Sequence, residues 1–116
     1  MRRASVRQTA AMPKYAKPAG GEGAEQAISV FGNYVKAAAI RYLRQHPNVT
    51  RKSIADALQL PPTTFVAYLG ELEEAGLIVA DPPRTERRKG EWPVYRVNDA
   101  EVTALYLRLG QELGEI

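Results

Sequence analysis

The amino-acid sequence predicts a mainly α-helical domain that carries one small β-hairpin. Two short amphipathic helices flank a turn at Pro61-Pro62, and Gly76 ends the second of them. An apolar run then follows, and beyond a polar loop the segment Trp92 to Val97 alternates as a second strand would. Helix, tight turn, amphipathic helix and hairpin are, in that order, the parts of a winged helix-turn-helix.

Length and composition bound the possible classes. The 116 residues suffice for one domain, and 45% of them are hydrophobic, so a single core can hold the fold. The chain has no cysteine, which excludes a disulfide framework and a thiolate metal site. No apolar run approaches the roughly 18 residues that span a bilayer, and no signal-type leader is present. We therefore expect a cytoplasmic protein with no membrane partner.

The net charge of +3 is unevenly distributed. Residues 1–20 contain five cationic side chains and no acid, residues 84–90 contain four against the single Glu86, and the last 18 residues are net acidic. Residues 1–23 also lack a sustained period, which predicts a flexible basic arm before a domain at residues 24–116. The arm either contacts DNA or a partner subunit, or is a solvated tail.

Two helices are predicted before the helix-turn-helix. They cover Ala24 to Phe31 and Tyr34 to His46, with a break at Gly32-Asn33. His46 is the only histidine, and one histidine builds neither a metal site nor a triad, so we predict a capping or solvent role. The predicted inward residues are Ala27, Ile28, Phe31, Val35, Ala39 and Leu43, whereas Lys36, Arg41 and Arg44 are expected in solvent.

The helix-turn-helix itself is specified by caps and spacing. Thr50 can cap the first helix with its hydroxyl, and Pro62 suits the first turn of the second. The inward faces are predicted to be Ile54, Ala55 and Leu58, then Phe65, Leu69 and Leu72.

The hairpin is predicted from an apolar run at residues 77–79, a polar loop at residues 81–90 and the strand Trp92 to Val97. Pro93 limits this last strand to an edge or places it at a strand start. Trp92 and Tyr95 are expected to anchor the hairpin on the helices.

A final helix is predicted after Asn98, which would cap it together with Glu101 in an Asx variant of the capping box. Its apolar residues lie in one narrow stripe, while Leu107 points the other way. Two apolar faces on one helix favour a homodimer, because exposed apolar patches mark interfaces. The alternative is that both faces pack internally. The predicted dimer contacts are Ile28, Val102, Leu105, Tyr106, Leu109 and Leu113.

Residues 31–97 resemble the winged helix-turn-helix of ArsR-type bacterial transcriptional regulators. The resemblance is carried by FGNYVKAAAIRYL at residues 31–43, SIADALQL at 53–60, TTFVAYLGELEEAGLI at 63–78 and PVYRV at 93–97. It implies a dimeric DNA-binding regulator whose helix at residues 62–75 enters the major groove. It also implies that the hairpin lies on the neighbouring backbone and that the first and last helices form the dimer contact.

The chain departs from this family in two respects. Sensors of the family often bind metal through cysteines or through histidine and carboxylate pairs on the last helix, and this chain has neither, so we expect no metal and no cofactor. The outward face of the predicted recognition helix carries Thr63, Val66, Ala67, Gly70 and Glu74, and none of these is a bidentate base reader. Gly70 costs roughly 0.5 to 1 kcal/mol relative to alanine and suggests the close approach of something bulky to that face, either DNA or another protein surface.

The predicted function is sequence-specific binding of double-stranded DNA by a transcriptional regulator, a repressor, whose affinity comes mostly from phosphates and which associates with the nucleoid. The alternatives are a winged-helix protein-interaction module and an architectural DNA-binding protein without strong sequence preference. An enzyme is not expected, since the chain has no phosphate-binding glycine loop and no nucleophile elbow. The predicted DNA contacts are Arg51, Lys52, Thr63, Thr64, Ala67, Tyr68, Arg84, Arg87, Arg88 and Lys89.

Overall fold

The structure, a computed structural model, describes residues 23–116. Within that range it contains five α-helices and a three-stranded antiparallel sheet, the architecture of a winged helix-turn-helix. The predicted basic arm lies outside the described residues apart from Gly23. The elements are α1 (Ala24–Phe31), α2 (Tyr34–Gln45), β1 (Val49–Thr50), α3 (Arg51–Leu58), α4 (Pro62–Glu74), β2 (Ile78–Asp81), a 3-10 helix (Arg84–Glu86), β3 (Val94–Val97) and α5 (Asp99–Leu113).

The caps of α3 and α4 confirm the predicted helix-turn-helix. The Thr50 hydroxyl accepts a hydrogen bond from the Ser53 amide at 3.3 Å, which satisfies a free donor at the start of α3. Gln59 ends α3 in the left-handed region with φ 56°, and Pro62 opens α4. Gly76, with φ 80°, carries the chain out of α4, a conformation that glycine adopts without strain.

The core lies among the five helices and the sheet. The predicted stripe of α4 is confirmed, since Phe65, Leu69 and Leu72 are all buried. Ala39, Leu43, Ile54 and Ala55 are buried as predicted too, and α5 contributes Val102 and Leu105. Burial of a side chain such as Phe65 stabilises the fold by about 1.5 to 3 kcal/mol.

The sheet has one strand more than the predicted hairpin. Strand β3 is central: it pairs with β2 through Ile78↔Val97 and with β1 through Val49↔Tyr95. Strand β1, which the sequence analysis missed, directly precedes α3 and therefore attaches the start of that helix to the hairpin. Strand β3 begins at Val94 because Pro93 has no amide hydrogen to donate to a ladder.

Three predicted side-chain positions are wrong. Lys36 is buried, with 6% exposure, because its Nζ reaches Glu71 Oε1 on α4 at 2.6 Å. Ile28 is 58% exposed, because α1 turns Ala27 and Val30 inward instead. Trp92 is 72% exposed and does not anchor the hairpin.

Helix α5 is capped by Asn98, whose Oδ1 accepts from the Glu101 amide at 3.4 Å. The reciprocal half of the capping box is absent, because the Asn98 amide donates to Leu77 O at 2.9 Å. The predicted stripe divides into a buried face and an exposed one that includes Tyr106 and Leu113, 64% and 67% exposed. In the described part of the chain, therefore, the apolar surface of α5 is not fully buried within the protomer. No helix there is long and apolar enough to cross a membrane.

Candidate nucleic-acid interface

The outward face of α4 is small and uncharged over its first two turns. Thr63, Thr64 and Ala67 are exposed, while Tyr68 is half-buried and packs against the core. Helix α4 has no basic and no amide side chain along its length. Such a face can approach the bases closely, but it offers none of the bidentate pairings that identify a base pair.

Two cations lie at the beginning of α3, where free backbone amides also favour an anion. Arg51 is half-buried and Lys52 is exposed. Lys52 Nζ lies 2.9 Å from Asp56 Oδ2, one helical turn later. This hydrogen bond raises the pKa of Lys52, so its side chain is a cation at neutral pH.

A cleft of about 510 Å³ brings the starts of α3 and α4 together with the hairpin. Its cationic residues are Arg51, Lys52 and Arg87, and Trp92 forms part of its apolar wall. Thus three of the predicted DNA contacts, two from α3 and one from the distant hairpin, border one concave surface. The remaining lining residues are Thr50, Asp56, Pro62, Glu91, Pro93 and Tyr95.

The Arg87 side chain is held in place by the backbone of the hairpin. Its Nε and Nη2 donate to Pro82 O at 3.3 and 3.1 Å. A guanidinium has five N–H donors, so others remain for a ligand. Burial raises the pKa of the Tyr95 phenol above 10.0, and the nearby cation of Arg87 partly opposes this effect.

The other predicted cations of the hairpin lie elsewhere. Arg88 and Lys89 are exposed near its tip, where the Arg88 amide donates to Glu91 Oε1 at 2.8 Å. Arg84 instead lies across α4, and its Nη2 is 3.8 Å from the point that a β-carbon at Gly70 would occupy. The Arg84 guanidinium thus lies at ordinary van der Waals distance from this point, and the approach of DNA or of another protein surface to this face stays a prediction.

Trp92 is the cleft residue that sequence reasoning assigned to the wrong surroundings. Alternation from residue 92 placed it on the sheet, but Pro93 ends that alternation and is itself buried. The adjacent proline was the signal that the ladder could not extend to Trp92.

A second exposed surface lies on α1 and α5 and includes three of the six predicted dimer contacts. Ile28, Tyr106 and Leu113 are exposed, and the Phe31 and Tyr106 rings meet edge-on with centroids 6.4 Å apart. Val102 and Leu105 are buried in the protomer's own core, and Leu109 is half-buried against it.

Comparison with known proteins supports this architecture. Residues 37–79 match the family described as winged helix-turn-helix DNA-binding. No curated protein matches the chain. Residues 37–79 thus resemble a winged helix-turn-helix DNA-binding domain, and the predicted fold class is confirmed.

Several solved structures share the fold. A homodimeric winged helix-turn-helix DNA-binding domain from Mycobacterium bovis, a possible ArsR-family transcriptional regulator, is 24% identical with a TM-score of 0.56, over 81% of this chain and 80% of that one. The antimony-specific transcriptional repressor AntR is 16% identical with a TM-score of 0.59, over 97% and 96%. The MepR–DNA complex of S. aureus is 20% identical with a TM-score of 0.53, over 81% and 77%. The domain thus resembles those of transcriptional regulators, and assignment to the ArsR type stays a prediction.

Proposed function

We propose that this protein is a sequence-specific DNA-binding transcriptional regulator, acting as a repressor in the cytoplasm on nucleoid DNA. The observation that carries the proposal is the cleft in which Arg51, Lys52 and Arg87 lie beside the start of α4. Two separate elements present cations next to an exposed helix face whose side chains are small. Phosphates attract such cations whatever the base sequence, so most of the affinity is electrostatic.

In this binding mode α4 lies in the major groove with Thr63, Thr64 and Ala67 toward the bases. The methyl groups of threonine and alanine suit contact with thymine methyls, and Tyr68 lies at the edge of the face. The cations of α3 and of the hairpin contact the flanking phosphates. On α3 they are Arg51 and Lys52, and on the hairpin they are Arg87, Arg88 and Lys89.

Two copies of the chain form the functional unit. The apolar side chains exposed on α1 and α5, Ile28, Tyr106 and Leu113, would be covered by the same surface of a partner, with Leu109 at the margin. The Mycobacterium bovis neighbour is described as homodimeric, which supports this arrangement. A two-fold dimer places its recognition helices about 34 Å apart, or a multiple of that, and calls for a palindromic site.

Salt dependence tests the phosphate contacts. With about four to six phosphates neutralised per subunit, log K against log salt falls with a slope of about −0.9 per contact. Fluorescence polarisation with a labelled duplex should show this slope, and Arg87→Ala should reduce its magnitude by about 1 per subunit. Arg41→Ala is the matched control, since Arg41 is an exposed arginine that lines a different groove, between α2 and α5. Affinity that stays constant from low to moderate salt would contradict the proposal.

A second candidate function is DNA binding without strong sequence preference. The absence of basic and amide side chains from α4 favours it. Selection of bound genomic fragments separates the two candidates, because a regulator enriches one palindromic motif and an architectural protein enriches none. A protein-interaction module, in contrast, would retard no DNA in a mobility shift at low salt.

A further inference from the structure

We propose that Arg84 of the hairpin supplies the base-reading guanidinium that α4 lacks. This inference rests on the proposed function and names the residue that gives it specificity. Arg84 Nη2 lies 3.8 Å from the point where a β-carbon of Gly70 would stand, so the tip of the side chain rests on the outward face of α4.

The position of Gly70 on the helix makes this placement meaningful. Thr63, Ala67, Gly70 and Glu74 are spaced i, i+4, i+7 and i+11, which puts them on one face of α4. Gly70 has no side chain, so a guanidinium from outside can lie against the helix there. The tip of Arg84 thus lies beside the point from which a side chain of α4 would otherwise project.

The charges around Arg84 favour a base edge over a phosphate. Ala67, Gly70 and Arg84 border a shallow depression together with the carboxylates of Glu71, Glu73 and Glu74. These carboxylates repel the full negative charge of a phosphate more strongly than the partial charges on a base edge. Guanine presents two acceptors, O6 and N7, and a guanidinium fork donates to both.

Arg84 also differs from Arg87 in its freedom to bind. Arg87 donates two hydrogen bonds to Pro82 O, which fixes it beside the cleft. Arg84 is in none of the ion pairs that the structure describes between two residues of the range 23–116, which join Lys36, Arg44 and Lys52 to carboxylates. Its guanidinium can therefore turn toward a base without first breaking an ion pair.

The experiment begins with selection of duplexes by the wild-type protein, which defines the half-site. Arg84→Ala and Arg84→Lys are then measured against duplexes in which each base pair of the half-site is changed in turn. We expect both variants to lose preference for guanine at one position per half-site, by about tenfold or more, because lysine keeps the charge but not the fork. In wild type, 7-deazaguanine at that position should weaken binding to a similar degree, and in Arg84→Ala it should have no effect.

Arg87→Ala is the control, since it removes the same charge from the same hairpin. It should weaken binding to all duplexes alike and reduce the salt slope, whereas Arg84→Ala should leave the slope unchanged. If Arg84→Ala weakens binding to all duplexes equally, and the slope of log K against log salt is smaller in magnitude by about 0.9 per subunit, Arg84 is a phosphate contact and the inference fails. It fails too if the variant binds every duplex as wild type does. Wild-type protein that binds no duplex at low salt would instead refute the proposed function itself.

Discussion

Removal of the Glu71 carboxylate should destabilise the fold, because that carboxylate is the partner of a buried ammonium group. Lys36 Nζ lies 2.6 Å from Glu71 Oε1. The side chain of Lys36 is 8% exposed and that of Glu71 is 57% exposed. The pair joins α2 to α4, and Glu71→Ala would leave the Lys36 charge in the interior without it.

The expected magnitude follows from the distance and the unequal exposure. Two unit charges at this separation attract by about 6 kcal/mol in an effective dielectric of about 20. The net contribution is smaller, since the ammonium loses hydration on folding and water screens the open side of Glu71. Loss of one partner from a fully buried pair costs about 3 to 5 kcal/mol. For this half-exposed pair we expect Glu71→Ala to cost about 1.5 to 3 kcal/mol.

Urea denaturation followed by circular dichroism measures this cost as a lower midpoint at unchanged slope. Glu74→Ala is the matched control, because it makes the same substitution at an exposed position of the same helix. It should change the free energy of unfolding by less than about 0.5 kcal/mol.

A variant at the other partner separates the charge from the contact. Lys36→Met keeps an apolar stem of similar length and leaves no buried charge, so its stability should lie within about 1 kcal/mol of wild type or exceed it. The reasoning would be refuted if Glu71→Ala and Glu74→Ala proved equally stable, or if Lys36→Met were as damaging as Glu71→Ala.

Three further outcomes are expected. Gly70→Ala should raise the free energy of unfolding, measured in urea, by about 0.5 to 1 kcal/mol, because alanine is favoured over glycine inside a helix. A β-carbon at this position would meet only the Arg84 side chain, at 3.8 Å. A lower stability of the variant would show that the site is tighter than this distance implies. Trp92, the only tryptophan, should change its emission when duplex DNA is added, and an unchanged spectrum at saturation would place it away from the bound strand. Burial raises the pKa of Tyr95, so the unfolded chain loses the phenol proton at a lower pH than the folded one does. The free energy of unfolding should therefore fall as pH rises above about 10. In Tyr95→Phe it should fall less steeply, and identical pH profiles of the two proteins would contradict this.

Short-range patterns predicted most of the helices because each depends on neighbours in sequence. The spacing of Phe65, Leu69 and Leu72 fixes the buried face of α4, and the caps at Thr50 and Asn98 fix two helix starts. The sheet was predicted less well. Strand β1 has only two residues, and its pairing depends on a partner strand after the whole helix-turn-helix, so no local periodicity reveals it.

The candidate site was predicted in residue type but not in arrangement. The basic character of the hairpin is plain from its composition, but its cationic side chains lie on different surfaces. Arg87 borders the cleft, whereas Arg84 lies beside Gly70 of α4. That division depends on a hydrogen bond to Pro82 O and on contact with another helix. Lys36 illustrates the same limit. A lysine with no acidic neighbour in sequence is predicted to be exposed to solvent, and only the folded chain brings Glu71 beside it.

Strand β1 constrains how the domain can fit a duplex. The Asn48 amide donates to Tyr95 O at 2.9 Å, and Thr50, paired with Val94, is also the cap of α3. The first turn of that helix and the hairpin are therefore joined through the backbone, which limits the change in spacing between the cations that we propose to contact phosphates. Under the proposed binding mode, a duplex with a wider or narrower groove must deform to meet both groups, and its stiffness would then contribute to the choice of operator.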